Sequence, residues 1–476
     1  MLDLTLCLDP SAPAPLYQQL YNSLTGQIRA GRLRAGDKLP GKRSLANQLA
    51  IAVNTVDTAY QMLTAEGYLE VRPKSGFYVL PYGELSAGPP AGPAAPTPPP
   101  EPSGGVPPLR FRLSTGAVDT ALFPFRTWGR IQKELLYASP ELLTHGHPQG
   151  DENLREAIAD YLRAYRGVDC TPGQLVVGAG VEYLLGLAAQ LLRGLSPPAG
   201  CAAAVENPGY SRSATILANN GVSCRYVDID GSGLPVEGLE ESGAGLCYVT
   251  PSHHFPTGVT MPAWRRAQLL RWAAREPGRY IFEDDYDAEF RFDTRPLPSL
   301  QGMAGANGPV IYLCTFSKSL APSIRIACMV LPLGLLERWR AAFGSYANTV
   351  SRFEQQTLCR FLTEGYFTRH LARMRNAYKL RMEALVQTLE GRFGRERIAL
   401  KGRHTGLHLL LTLRDGPGEA DMVSAAAAAG VGLRGLSEYY LSGAGRCPPN
   451  TVILGYASLQ NRDISALAEA LAGAWI

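Results

Sequence analysis

The sequence predicts an α/β protein in two parts: an N-terminal winged helix-turn-helix, then a larger part with a mostly parallel sheet and a smaller C-terminal α/β subdomain. Three observations predict this. A proline-rich stretch divides the chain, apolar residues before it recur at helical spacing, and strand-length apolar runs alternate with helical segments after it. With 476 residues, 46% of them hydrophobic and 18% charged, the chain can bury a large core.

The composition excludes several classes of protein. A net charge of +4 is too small for the whole chain to attract nucleic acid or a membrane surface, so any nucleic-acid contact needs a local patch. The chain lacks an apolar run of about 18 residues, which argues against a membrane span. The acidic, non-basic start with Asp3 and Asp9 argues against a signal peptide. Nine scattered cysteines without a Cys-x-x-Cys pair predict free buried thiols in a reducing cytoplasm.

A linker is predicted over residues 81–108, which contain 11 prolines and five glycines. Such a stretch buries too little apolar surface to order itself, and its prolines favour extended conformations. It separates a unit of residues 1–80 from one of residues 109–476, in which the smaller subdomain begins near residue 348.

The first unit contains a helical stripe of Leu16, Leu20, Leu24 and Ile28, bounded by Pro15 and Gly31. Three helices and two strands are predicted there: 16–30, 44–50, 54–66, 68–71 and 77–80. Two short helices followed by a hairpin form a winged helix-turn-helix.

The third helix is the predicted recognition helix, which enters the major groove by its N-terminal end. Hydrogen-bonding and basic side chains suit contacts to base edges and phosphates there. The predicted DNA-binding residues are Lys42, Arg43, Asn54, Thr55, Arg72 and Lys74. Residues 1–80 hold eight basic and six acidic residues, a modest surplus, and a small helical dimerisation domain is the alternative.

The second unit alternates apolar strands with helices, which predicts a parallel sheet covered on both faces. Strands are predicted at 175–177, 202–205, 246–250, 280–283, 310–315 and 327–331, an amphipathic helix at 262–274, and later strands at 407–413 and 451–455.

Three motifs in this unit carry chemistry. Lys318, in Thr315-Phe316-Ser317-Lys318-Ser319, follows a buried strand, where an amine that loses its proton can form a Schiff base with an aldehyde. Arg325 supplies donors for a phosphate. An isolated Ser-Lys-Ser is more often a surface turn.

The second motif is Tyr280–Phe290, an apolar strand that ends in Glu283-Asp284-Asp285 and holds five acids within residues 283–289, at a position where open α/β sheets bind ligands. A carboxylate there keeps a pyridine nitrogen protonated. A divalent metal site or a solvated loop are the alternatives, and the basic partners favour a phosphate ligand. The third motif, Gly178-Ala179-Gly180, opens a helix whose backbone N–H groups can hold phosphate, although such glycines also form ordinary turns.

The N-terminal sequence resembles the GntR-type winged helix-turn-helix in Leu39-Pro40, Arg43, Asn54-Thr55-Val56 and Glu66-Gly67-Tyr68. This resemblance implies DNA binding. The chain departs from the pattern at Gly41-Lys42, where two serines are usual, and at Ala52-Val53, where Ser-Arg is usual. The missing serine removes the usual helix cap, worth about 1 kcal/mol, and Asn54 is expected to cap a shortened helix instead.

From about Phe111 onward the chain resembles fold-type I aminotransferases dependent on pyridoxal 5′-phosphate (PLP). The resemblance implies that Lys318 forms the Schiff base with PLP, that Asp284 pairs with the pyridine nitrogen and Tyr286 with the 3′ oxygen, and that Tyr210 stacks on the ring. It places Thr315, Ser317, Arg325, Ala179 and Gly180 around the phosphate, and suggests Arg212 and Arg434 as effector-binding residues. Phe255 stands where an asparagine is usual, and His254 could substitute for it, although His253 and His254 are more simply read as buried polar residues.

The order of parts resembles the MocR subfamily of bacterial GntR-type regulators. This resemblance implies a cytoplasmic homodimer that binds double-stranded promoter DNA, with PLP as cofactor and PLP, an amine or an amino acid as effector. The large domain is expected to serve mainly in sensing. A catalytically active aminotransferase with an accessory N-terminal domain is the alternative. The sensing function is favoured over it, because the sequence shows no clear second arginine for the substrate carboxylate. A PLP carrier without a DNA role is a third hypothesis.

Overall fold

A computed structural model describes residues 8–82, 109–193, 201–293, 297–443 and 446–476. The chain forms two compact units, Met1–Gly105 and Val106–Ile476. Most of the predicted linker, residues 83–108, lies outside the described residues, as do residues 1–7, on which the expectation about a signal peptide depends in part.

The first unit has the predicted three helices and two strands. Its elements are α1 (Leu16–Arg29), β1 (Lys38–Leu39), α2 (Lys42–Leu49), α3 (Val53–Ala65), β2 (Leu69–Arg72) and β3 (Gly76–Val79). The sequence missed β1, because a two-residue strand is too short to show a period. It pairs with β3 and completes an antiparallel sheet in the order β1-β3-β2.

The core of this unit forms where α1 packs on α3. Leu20, Leu24 and Ile28 of the predicted stripe are buried together with Val56 and Tyr60 of α3. Helix α3 begins one residue earlier than expected, with Ala52 at its N-cap and no side-chain cap. The expectation that Asn54 caps a shortened helix is therefore wrong, since Asn54 lies inside the first turn.

The second unit contains twelve helices and thirteen strands within its described residues. Its helices are α4 (Phe125–Ala138), α5 (Glu152–Arg166), α6 (Val181–Arg193), α7 (Ser211–Asn219), α8 (Val236–Glu241), α9 (Ala263–Arg275), α10 (Leu300–Ala304), α11 (Leu336–Phe343), α12 (Arg352–Thr363), α13 (Tyr366–Phe393), α14 (Glu419–Ala428) and α15 (Ile464–Trp475). Its strands are β4 (Phe111–Arg112), β5 (Leu175–Gly178), β6 (Ala202–Asn207), β7 (Ser223–Asp228), β8 (Leu246–Val249), β9 (Tyr280–Asp285), β10 (Val310–Thr315), β11 (Ala327–Val330), β12 (Ile398–Lys401), β13 (His408–Leu413), β14 (Val431–Gly432), β15 (Arg434–Gly435) and β16 (Thr451–Gly455).

The large sheet has seven strands in the order β5-β11-β10-β9-β8-β6-β7. Strands β6 to β10 pair in parallel, and β11 runs antiparallel to both β10 and β5. Alternate residues of a strand point to opposite faces of the sheet and pack in different hydrophobic clusters. In β10, Ile311 and Leu313 pack in one cluster, whereas Tyr312 and Cys314 pack in another. The mostly parallel sheet covered on both faces is thus confirmed. Edge strand β7 escaped prediction, because its residues are largely exposed.

The C-terminal subdomain has an antiparallel sheet in the order β12-β13-β16-β15, and a separate parallel pair, β14-β4. Its core packs one face of this sheet against α13, α14 and α15. Strands β13 and β16 confirm the two late predicted strands. Within the described ranges, no helix is long and apolar enough to cross a bilayer.

The cysteines depart from the expectation of free thiols at one pair. Cys314 of β10 and Cys328 of β11 are joined as a disulfide. They are register partners in the antiparallel pair, with Cα atoms 5.4 Å apart, a separation that suits a disulfide. A spacing of 14 residues gives no recognisable motif, so only the strand pairing reveals the bond. The other cysteines of the described ranges are free.

Candidate functional site

A cavity of about 240 Å³ lies in the second unit. Many of its lining residues follow the carboxyl ends of the parallel strands β6, β8, β9 and β10, where open α/β sheets bind ligands. Most of the predicted site residues line it: Tyr210, Arg212, Asp284, Tyr286, Thr315, Ser317, Lys318 and Arg325. The fold thus brings together side chains that are more than 100 residues apart in sequence.

Lys318 lies just beyond the end of β10 and points its amine into the cavity. Its Nζ donates a hydrogen bond to the backbone carbonyl of Thr115, 2.5 Å away. Burial lowers the pKa of the Lys318 ammonium to about 8, and the nearby carboxylate of Asp287 only partly opposes this. A lower pKa leaves more of the amine neutral and therefore nucleophilic near neutral pH.

Asp284 is the acid of the run 283–285 that faces the cavity. The Tyr248 hydroxyl donates a hydrogen bond to its Oδ2. Its Oδ1 is buried and has no hydrogen-bond partner among the described residues. Burial raises the pKa of Asp284 to about 7. An orphaned buried carboxylate oxygen at a cavity wall suits a ligand that brings a donor.

Glu283 and Asp285 point to the other face of β9 and have structural partners there. Glu283 accepts hydrogen bonds from the backbone N–H groups of Leu300 and Gln301, at 2.8 and 2.9 Å. Asp285 accepts one from Arg166 Nε at 2.6 Å, and both side chains are buried. Burial favours the neutral acid, but the Arg166 guanidinium outweighs it and lowers the pKa of Asp285. The three acids therefore do not form one cluster.

Tyr286 is held by a histidine and a further acid. Its hydroxyl lies 2.9 Å from Nδ1 of His253, and the same Nδ1 lies 2.9 Å from a carboxylate oxygen of Asp287. His254 is buried elsewhere, with its Nδ1 2.7 Å from the Thr257 hydroxyl. Burial lowers the pKa of His254 to about 3, so it is neutral. The substitution of His254 for the usual asparagine at Phe255 is wrong, because Phe255 lines the cavity and His254 does not.

Of the predicted phosphate-binding residues, Thr315, Ser317 and Arg325 line the cavity, whereas Ala179 and Gly180 do not. The Thr315 hydroxyl lies 2.8 Å from that of Ser317. Arg325 donates to the Ala179 carbonyl at 3.1 Å. Gly180 has φ +98°, and a Cβ there would lie 2.3 Å from the Arg325 guanidinium. Only glycine combines this backbone conformation with so close an approach. Ala179 itself uses its N–H on the Thr349 hydroxyl, 3.0 Å away.

The predicted ring-stacking and effector residues differ in placement. The rings of Tyr210 and Phe255 contact each other edge-to-face, with centroids 6.0 Å apart. Arg212 lines the cavity and donates to Glu182 at 3.0 Å. Arg434 does not line it, and its exposed guanidinium lies 3.5 Å from Glu438.

Several residues of the site escaped the sequence analysis. Thr115 and Tyr248 contact Lys318 and Asp284 from distant segments that carry no motif. Glu182 is the second residue of α6, which begins directly after the glycine motif, so its closeness to that motif could have identified it as a site residue. Its carboxylate faces both Arg212 and Arg325. In the part of the chain that the structure describes, no group of three or more His, Cys, Asp or Glu is placed to hold a metal ion.

The predicted DNA-binding residues lie on the surface of the first unit. Asn54 is exposed and Thr55 partly exposed in the first turn of α3, and Lys74 is exposed in the hairpin at φ +59°. Lys42 forms an ion pair with Asp57. Arg43 is exposed and has no ion pair within the described ranges.

The remaining hairpin residue, Arg72, lies over the Tyr78 ring, 4.4 Å from its centroid, and pairs with Glu70. Its guanidinium is therefore oriented by the wing itself. Lys42 and Arg72 are consequently less available to phosphate than Arg43.

Comparisons with known proteins cover both units. Residues 16–79 match the model of bacterial regulatory proteins, gntR family, and residues 111–449 that of aminotransferase class I and II. The uncharacterized HTH-type transcriptional regulator YhdI of Bacillus subtilis (strain 168) is 37% identical, over 100% of this chain and 98% of YhdI. The probable rhizopine catabolism regulatory protein MocR of Rhizobium meliloti is 33% identical, over 99% and 96%. A kynurenine aminotransferase of Pyrococcus horikoshii, solved in complex with PMP, has a TM-score of 0.66 and 27% identity, over 76% and 90%.

Proposed function

The chain belongs to the family of MocR-type transcriptional regulators, in which a GntR-family domain precedes an aminotransferase class I and II domain, and on that premise we propose that it binds PLP and promoter DNA and couples the two. In this proposal it acts in the cytoplasm as a homodimer. PLP, or an amine or amino acid that reacts with it, changes the affinity for DNA. The proposed parts are residues 1–80 for DNA binding, 81–108 as linker and 109–476 for the cofactor.

The observation that carries the proposal is the convergence of Lys318, Asp284 and Arg325 on one cavity. PLP needs an amine, a carboxylate and an anion-binding group together, because it carries an aldehyde, a ring nitrogen and a phosphate. The orphaned Oδ1 of Asp284 matches a protonated ring nitrogen. Arg325, with the hydroxyls of Thr315 and Ser317, matches the phosphate. The residues present therefore fit this cofactor.

When bound, PLP supplies an aldehyde that captures amines and a ring that withdraws electrons. The chain's own residues prepare for this. Thr115 holds the Lys318 amine in the cavity, and burial keeps part of that amine neutral. His253 lies within hydrogen-bond distance of the Tyr286 hydroxyl and orients it, and in this proposal that hydroxyl would meet the 3′ oxygen. Tyr210 supplies an aromatic face, and Arg212 a cation for an effector carboxylate.

The DNA-binding part of the proposal is supported by the first turn of α3 and by Arg43, whose guanidinium has no ion pair among the described residues. Asn54 and Thr55 are placed at the N-terminal end of the helix that would enter the major groove. Arg43, at the start of α2, suits a phosphate contact. The proposed homodimer is supported by exposed apolar side chains on and after α4, where Leu136, Tyr137 and Leu143 are more than 60% exposed.

The test is a titration of a labelled DNA fragment from the region upstream of the chain's own gene, with and without PLP. We expect PLP, or one of a panel of amines and amino acids added with it, to change the apparent Kd by at least about fivefold. The Lys318→Ala variant should bind the fragment without this response. A fragment that is not bound, or is bound equally under all conditions, would overturn the proposal.

The chief alternative is a working aminotransferase with an accessory first unit. It requires firm binding of the substrate carboxylate, and the exposed Arg434, which pairs with Glu438, adds no further arginine to Arg212 and Arg325 at the cavity. Steady-state transamination between common amino acids and keto acids separates the two functions. Rapid turnover without DNA binding would favour the enzyme, and a footprint on promoter DNA would exclude a PLP carrier without a DNA role.

A further inference from the structure

We propose that the Glu182 carboxylate competes with the cofactor phosphate for Arg325. This competition weakens PLP binding and so raises the PLP concentration that is needed to occupy the site. This inference deepens the proposed function and rests on PLP binding in the same cavity. Among the described residues that line the cavity, Glu182 is the one acidic side chain at the end formed by Thr315, Ser317 and Arg325.

The geometry of Glu182 is that of an anion bound between two cations. Its Oε1 accepts a hydrogen bond from Arg212 Nη1 at 3.0 Å, and its Oε2 lies 3.4 Å from Arg325 Nη2. All three side chains line the cavity. Glu182 also lies in the first turn of α6, where the helix dipole favours a negative charge. It thus occupies Arg325, the cation that the proposed function assigns to the phosphate.

A phosphate and the Glu182 carboxylate cannot both bind Arg325 without like-charge repulsion. A phosphate monoester carries nearly two negative charges near neutral pH and offers three acceptor oxygens. It can therefore displace a single carboxylate, but the lost Glu182–Arg325 contact and the remaining repulsion weaken its net affinity. Arg212 retains its own contact with Glu182, so the carboxylate has an alternative position beside the site.

The test compares PLP with pyridoxal, which has the same ring and aldehyde but lacks the phosphate. Dissociation constants are measured by absorbance titration of the full chain and of the Glu182→Gln variant. We expect Glu182→Gln to bind PLP about tenfold more tightly, and pyridoxal with unchanged affinity. Inorganic phosphate should also compete with PLP at lower concentration in the variant. The readout is binding, so it does not depend on catalysis.

Glu240→Gln is the matched control. Glu240 is 45% exposed and pairs with Arg275, much as Glu182 is 43% exposed and pairs with arginine, but Glu240 does not line the cavity. We expect this variant to bind both ligands as the unmodified chain does. The inference is overturned if Glu182→Gln leaves the PLP affinity unchanged, weakens it, or changes PLP and pyridoxal equally. A chain that binds no PLP at all would instead refute the proposed function itself.

Discussion

The Lys318 amine is anchored to the backbone of a segment some 200 residues earlier in the sequence, through a 2.5 Å hydrogen bond to the carbonyl oxygen of Thr115. Because the acceptor is a backbone carbonyl, the contact does not depend on the side chain at position 115. The amine is thereby held in the cavity before any ligand arrives. Such preorganisation lowers the entropy cost of attaching an aldehyde.

Replacing Lys318 tests whether it is the reactive amine. We expect Lys318→Ala to lose the visible absorbance that the full chain acquires with PLP, since no other lysine lines the cavity among the described residues. Lys379→Ala is the control, because Lys379 lies on α13 and pairs with Asp293. Retention of the absorbance in Lys318→Ala, checked by absorption spectroscopy, would assign the attachment to another lysine.

The rate of covalent attachment of PLP should rise with pH. Only the neutral amine attacks an aldehyde, and an amine with a pKa of about 8 has about fivefold more neutral form at pH 8 than at pH 7. Stopped-flow absorbance should show this rise and a plateau above about pH 9.

The same lowered pKa also affects stability. The folded state binds fewer protons than the unfolded state between about pH 8 and the ordinary lysine pKa of 10.5, so this lysine makes the PLP-free protein more stable as pH rises through that window. For the kinetic prediction, a rate of PLP attachment that does not change between pH 7 and 9 would contradict the lowered pKa of Lys318.

Asp284 and Asp285 offer a matched pair on opposite faces of β9. Asp284→Asn should weaken PLP binding because it removes the negative charge that is proposed to pair with the ring nitrogen. The raised pKa of Asp284 means that its charged form destabilises the PLP-free protein above about pH 7, and this penalty develops between the unfolded value of 3.8 and 7. Asn lacks that charge, so we expect a gain of about 1–2 kcal/mol at pH 8.

Asp285→Asn should have the opposite effect on stability. It breaks the buried pair with Arg166 and leaves that guanidinium uncompensated, at a cost of about 3–5 kcal/mol. Chemical denaturation at pH 8 measures both variants. The assignment of faces would be wrong if Asp285→Asn were the stabilising variant, or if Asp284→Asn left the PLP affinity unchanged.

Arg43 should contribute more to DNA binding than Lys42. Lys42 is held by Asp57, whereas Arg43 is exposed and has no ion pair within the described ranges. We expect Arg43→Ala to weaken DNA binding about fivefold and to lower the salt dependence by about one phosphate contact, with a smaller effect from Lys42→Ala. Arg271→Ala, an exposed arginine on α9 of the second unit, controls for net charge. Equal affinities of Arg43→Ala and the control would place the contact elsewhere.

The Cys314–Cys328 disulfide should stabilise the loop that holds Lys318 and Arg325. It closes a segment with a sequence separation of 14, and a loop of that length is worth about 3 kcal/mol in the chain-entropy description. We expect dithiothreitol to lower the free energy of unfolding of the oxidised chain and to leave the double variant Cys314→Ala, Cys328→Ala unaffected. Peptide mapping without reductant should recover the linked peptide. Finding both thiols free in chain purified without reductant would contradict the bond.

The winged helix-turn-helix could be predicted because its evidence is local. The stripe from Leu16 to Ile28 and the stop at Gly67 act within one or two helical turns, where spacing decides which face is apolar. The two-residue strand β1 and the exposed edge strand β7 could not be predicted from spacing, since neither shows a clear alternation of burial. Their positions follow from hydrogen bonds with strands elsewhere in the chain.

The sequence by itself determined the order of the two units, the fold class, and the main members of the cavity, because Lys318, Asp284 and Arg325 lie in motifs whose chemistry is local. Only the tertiary structure decided which partners these residues meet. Thr115, Tyr248 and Glu182 approach them through strand order and helix packing, and Cys314 meets Cys328 through antiparallel register. The physical reason is that spacing along a chain fixes the face of an element, whereas contacts between elements depend on how their apolar faces pack together.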